Sequence, residues 1–150
     1  WDEEALEKRR SYLEKVVELL KLRARKLSDF PRVGRYFFFD PEGFEAQGVR
    51  KHFADPEVVS RLERLAEVLE GCEPFEAGRV EACLRSLAEE LGIKAAQLIH
   101  PARLAVTGRT GGPGLFELFA VLGREVVVRR LRRAAELIRT RQVQEVEVVE

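Results

Sequence analysis

The sequence predicts an all-α fold, and three observations predict it. Apolar residues recur at helical spacing over most of the chain, glycine and proline punctuate the ends of those runs, and only one stretch, RQVQEVEVVE, alternates in the manner of a strand. The 150 residues are enough to bury a real core. A composition of 45% hydrophobic and 35% charged residues suits a soluble helical protein and argues against disorder.

The elements follow in chain order. Asp2 is placed to cap a first helix with Glu3 and Glu4 in its opening turn, and Leu6, Leu13, Val16, Val17, Leu20 and Leu27 carry it from 3 to about 27, with Ser11 as a weak point. Ser28 or Asp29 caps a short turn holding Pro31. YFFFD is short and apolar, equally a buried strand or a buried helical turn. DPEGFEAQG, residues 40–48, carries turn chemistry and divides the chain into a first helical subdomain, 1–40, and a second, 41–140. Helical patterns return at about 45–53, then at 56–70 with Asp55 as cap and Gly71 as stop, and at 76–91 stopped by Gly92. Pro101 interrupts 94–106, which predicts a short helix, a bend and a second helix. Pro113 opens a helix that ends at Gly123, and Arg124 opens the last, to about Thr140. Residues 141–150 are expected to be a C-terminal tail, because their strand pattern has no evident partner.

Several function classes lose support. No apolar run reaches the roughly 20 residues of a membrane span, and the acidic start WDEEALEKRR is unlike a signal peptide, so a cytoplasmic protein without membrane contact is expected. Cys72 and Cys83 form no CxxC pair and have no histidine at metal spacing, so no metal site is expected and free thiols are preferred. His52 and His100 lack a neighbouring Asp, Ser or Cys that would suggest a triad, and no catalytic residue is assigned. The formal net charge is zero, yet basic charge is concentrated in two windows, Lys21 to Arg35 and Arg124 to Arg141. Alone, each window is an ordinary solvated helix face.

GRTGGPG, residues 108–114, invites a phosphate-loop reading, but no lysine follows the glycines and no strand precedes them. The simplest alternative is a tight turn between helices. A third is that the helix start at Pro113, Gly114 and Leu115 offers backbone N–H groups to an anion or a base edge. Arg103 stands among core-like residues in LIHPARLAVTG. It either lays its stem along the apolar face with its head in water or aims a guanidinium fork at the glycine turn, suited to base edges or phosphate.

Taken together these residues are no longer generic. Pro101-x-Arg103-x-Ala105-Val106-Thr107-Gly108, Pro113-Gly114-Leu115-Phe116, and Leu122-Gly123 before an arginine-rich helix resemble the C-terminal anticodon-binding region of bacterial glutamyl-tRNA synthetases. The resemblance extends back through CLRSLAEELGIKAAQLIHP and VVELLKLRARKLSDFP, and covers about Leu6 to Arg133. It implies a helical cage of two packed subdomains that grips the anticodon of tRNA(Glu). In that family the positions of Arg103, Gly112 and Leu115 surround the first two anticodon bases. The position aligned here to Arg23 reads the third base, with Arg25 or Lys21 as alternatives, and its arginine is the form that discriminates against glutamine tRNA. Arg25, Arg124, Arg130 and Arg133 are expected to hold phosphates without sequence preference.

Two departures matter. Ala102 stands where the family commonly has a larger aliphatic residue, and Gly111-Gly112 removes any side-chain hydroxyl contact at the turn. The chain has no HIGH-like or KMSKS-like sequence and no alternating strand–helix pattern, so ATP and Mg2+ are expected only in an upstream catalytic domain of the same polypeptide, and no cofactor here. The expected partner is tRNA(Glu), with no DNA. The alternative is a free-standing helical adaptor that contacts RNA or protein without catalysis.

Overall fold

The computed structural model describes residues 3–20 and 34–147, which fall into two compact units, Trp1–Phe39 and Asp40–Glu150. As predicted, the described residues are overwhelmingly helical.

In the first unit, α1 (Glu3–Leu20) runs through Ser11 without a break, with Glu3 and Glu4 favourably placed in its first turn. Val16 and Leu20, four residues apart, are buried. YFFFD takes the helical alternative: Arg35–Phe37 is a single 3-10 turn with Tyr36 and Phe37 buried. The Tyr12 hydroxyl donates to the Phe37 carbonyl, and its ring meets Phe38 edge-on at 5.8 Å.

The second unit begins with a short strand, β1 (Phe44–Glu45), followed by α2 (Ala46–Gly48), which widens into a π turn over Val49–Phe53. Then come α3 (Val58–Glu70), α4 (Ala77–Leu91), α5 (Ala96–Thr107), α6 (Leu115–Leu122), α7 (Arg124–Arg139) and β2 (Glu145–Val146). The main core lies between α3 and α7. Leu62, Leu65, Ala66 and Leu69 form one stripe of α3, and Val127, Val128, Leu131, Ala134 and Ala135 form the facing stripe of α7. Glu63 pairs with Arg139 and Glu70 with Arg132 at 2.6 Å, so the start of one helix meets the end of the other and the two run antiparallel. These half-exposed pairs set register more than they add stability.

Asp55, expected to cap this helix, stands one turn earlier, since Glu57 is the N-cap: the Asp55 carboxylate accepts the Glu57 N–H at 2.9 Å and a bond from Arg61, also at 2.9 Å, and so holds the turn that leads into α3. Gly92 ends α4 in the left-handed region at φ 68. The break expected at Pro101 is absent, and α5 continues through it as one helix. Pro101 forfeits one helical hydrogen bond. It is buried, as are Leu98, Ala102, Leu104 and Ala105, so packing keeps helical what propensity alone would break.

Part of the segment expected to be a tail has a partner. β2 lies parallel to β1, with Phe44 opposite Glu145 and Glu45 opposite Val146, and the Phe44 N–H donates to the Gln144 carbonyl at 2.8 Å.

Candidate nucleic-acid interface

The turn that joins α5 to α6 is built from its first residue. The Thr107 hydroxyl donates to the Arg103 carbonyl one turn back (2.8 Å) and accepts the Arg109 N–H (3.0 Å), so one side chain closes α5 and starts the turn. Gly108 then reverses the chain at φ 77 while its N–H bonds the Leu104 carbonyl. It also touches the opposing backbone: a Cβ there would stand 2.5 Å from the Gly43 carbonyl oxygen.

Glu45, on β1, holds the next residue. One carboxylate oxygen accepts both the Thr110 N–H at 3.0 Å and the Thr110 hydroxyl at 3.1 Å, while the Glu45 N–H donates to the Gly108 carbonyl at 2.8 Å. Thr110 packs its methyl so close to Gly48 that a Cβ at Gly48 would be 2.6 Å away.

Arg103 is half-buried and its guanidinium reaches across to the far end of the turn, where NH1 donates to the Pro113 carbonyl at 2.7 Å. Arg103 and the Gly112–Leu115 segment are thus brought together, with Gly112 at φ 149. Leu115, expected beside the first two anticodon bases, is 3% exposed and belongs to the core beneath the turn. The helix start at Gly114 does not await an anion either. The Glu117 carboxylate folds back over it, 2.3 Å from where a Gly114 Cβ would be, and sets a negative charge of the chain's own at the positive end of α6.

The arginines expected at phosphates are engaged inside the second unit. Arg130 is 2% exposed; its Nε donates to Asp40 at 2.9 Å and NH1 to the Val106 carbonyl at 3.0 Å. The Arg130 guanidinium, expected at a phosphate, is thus turned inward onto Asp40 and Val106. Arg133 is half-buried and donates to the Pro41 carbonyl at 2.8 Å. Arg124 pairs with Glu73 at 2.7 Å, donates to the Cys72 carbonyl and lies over the Phe75 ring at 5.5 Å. Each ties α7 to a loop. Burial by itself would raise the Asp40 carboxyl, but hydrogen bonds and charge from Arg129 and Arg130 override it and hold Asp40 below the usual carboxylate range. Arg23 and Arg25, with Lys21, lie outside the described residues.

His52 and His100 stack nearly parallel with centroids 5.1 Å apart. Burial, then His100 and Lys51, lowers the His52 pKa. Sequence reading missed this pair, Glu45, Thr110 and Asp40, because each acts on a residue distant in the chain. Thr107 was visible only as part of a motif. Among the described residues no group of three or more His, Cys, Asp or Glu could hold a metal ion, and no helix is long and apolar enough to cross a membrane.

This arrangement has counterparts. A family model described as anticodon binding domain matches residues 3–135. The chain is 44% identical over 133 residues to a glutamate–tRNA ligase of Moorella thermoacetica, covering 89% of this chain and 27% of that protein. It is 42% identical over 127 residues to glutamate–tRNA ligase 1 of Caldanaerobacter subterraneus subsp. tengcongensis, covering 85% and 26%. Among solved structures, a glutamate tRNA ligase from Elizabethkingia meningosepticum, in complex with its amino acid, superposes with a TM-score of 0.79 at 27% identity, covering 85% of this chain and 25% of that one. The chain therefore spans about a quarter of the length of the relatives it matches.

Proposed function

Since the chain belongs to the anticodon-binding domain family, of the kind found in glutamyl-tRNA synthetases, we propose that it reads the anticodon of tRNA(Glu), so that a catalytic domain of the same polypeptide can join glutamate to that tRNA with ATP and Mg2+ in the cytoplasm. The observation that carries this reading is Arg103 braced on the Pro113 carbonyl. That bond fixes the plane of the guanidinium fork beside the turn. Unstacked anticodon bases offer Watson–Crick edges to such a fork and to the backbone of the glycine turn, where a Cβ at Gly111 would meet nothing within 4 Å. Leu115 supports the turn from beneath.

The phosphate contacts then fall to basic residues outside that frame, with Arg25 of the first basic window among them and Arg23 kept for the third base. Arg124, Arg130 and Arg133 support the frame.

The test is a titration of tRNA(Glu) and anticodon-swapped tRNA at two salt concentrations. Arg103→Ala should weaken cognate binding by about 1–3 kcal/mol and relax anticodon preference. Equal binding of wild type and variant to both RNAs would sink the proposal. The adaptor alternative draws on α1, where Leu6, Leu13 and Val17 share one face and are about half exposed. Wild type that ignores RNA in the same titration would favour it.

A further inference from the structure

We propose that Glu45 is a positioning residue for anticodon reading, holding the α5–α6 turn in the geometry that Arg103 and Gly112 require. The inference rests on the reading above and adds a residue that touches no base.

Glu45 grips the turn at three points. Its N–H takes the Gly108 carbonyl, and its carboxylate takes both donors of Thr110. With Gly108 pressed on the Gly43 carbonyl and Thr110 on Gly48, the segment 43–48 forms a template against which the turn is moulded. Two residues beyond Thr110 the chain passes through Gly112, whose freedom would otherwise let the remainder of the turn wander. The other anchor is Arg103 on Pro113, so Gly111 and Gly112 lie between a carboxylate clamp and a guanidinium clamp. Bond geometry at a base edge tolerates only small displacement, and removal of one clamp leaves the glycines to set it.

Glu45 is itself steadied from the other side. Its strand pairs with Glu145–Val146, and a Cβ at Gly43 would stand 2.4 Å from a Val146 methyl, so β2 packs directly on the segment that carries the clamp. The alternating pattern at the chain's C-terminal end, which found no use in the anticodon reading, acquires one as the backing of this template.

The 150-residue chain is titrated with two synthetic stem–loop RNAs, one with the tRNA(Glu) anticodon and one with its anticodon bases swapped, and urea unfolding is followed in parallel. Glu45→Ala should lower the ratio of cognate to swapped affinity about tenfold and leave affinity for the swapped RNA near wild type. Glu45→Gln, which keeps an acceptor oxygen, should restore most of the ratio. Thr110→Val, nearly isosteric, should lower it as well. A folded Glu45→Ala chain with wild-type selectivity overturns the inference. Should Glu45→Ala not fold, Thr110→Val decides: reduced selectivity supports the clamp and an unchanged ratio rejects it. Wild type that fails to separate the two RNAs rejects the anticodon reading itself, and the clamp with it.

Discussion

Arg130 shows how a side chain that looks like a ligand for phosphate serves as structure. Its charge is compensated by Asp40 and its NH1 donates to the Val106 carbonyl, so Arg130→Met should cost about 2–4 kcal/mol in urea unfolding, tempered because Arg129 still faces Asp40. RNA binding of the folded variant should keep its salt dependence. Asp40 adds an acid limit. Its folded pKa lies below the unfolded 3.8, so its contribution is full above 3.8 and is lost as pH falls through the lower folded value. His52 has the opposite charge and the same sign of slope: lowered from 6.5, it binds a proton more readily when unfolded, so stability is full above about 6.5 and declines as pH drops below it. Replacing His52 with Gln should flatten unfolding free energy against pH in that window. The buried Cys72 thiol, pushed up to about 11 by burial and the neighbouring Cys83, should resist alkylation at neutral pH in the native state and react once unfolded, as mass spectrometry of trapped adducts would read.

At the scale of elements, the α3–α7 pair holds the second unit together. Leu65→Ala, at a fully buried site, should cost about 2–5 kcal/mol, whereas Arg132→Ala on the same pair's exposed edge should cost under about 1 kcal/mol in the same denaturation experiment. Elements whose cause is local were legible: α3 from Asp55, Gly71 and a clean apolar stripe, and α4 from its stop at Gly92. Where distant packing outweighs a local rule, reading fails. Pro101 predicts a bend because a lost hydrogen bond is visible in the sequence, while the buried surroundings that keep α5 helical are not. The parallel pairing of β2 with β1 was hidden for a related reason: the alternation around β2 was visible, but its partner β1 is two residues long and carries no periodicity to detect.

For the molecule as a whole, a neutral chain is expected to bind RNA through local charge. Most of that charge in α7 proves to be internal bracing, so the RNA salt dependence should be set by few contacts and be shallow, a slope that titrations at several ionic strengths measure directly. The recognition motif was legible as a set of residue types, because Thr107, Gly108 and Arg103 lie within one helix end. Its support was not, because Glu45 reaches Thr110 from 65 residues away. The ladder between β1 and β2 has a kinetic corollary. It links the opening and closing stretches of the second unit, and bringing such remote stretches together costs the most loop entropy, so it should be the last contact to form on refolding. Pulse labelling with deuterium would then find the Phe44 amide, bonded to the Gln144 carbonyl, protected only after the helices are in place, so that the second unit acquires its helices first and the seam between its two ends last.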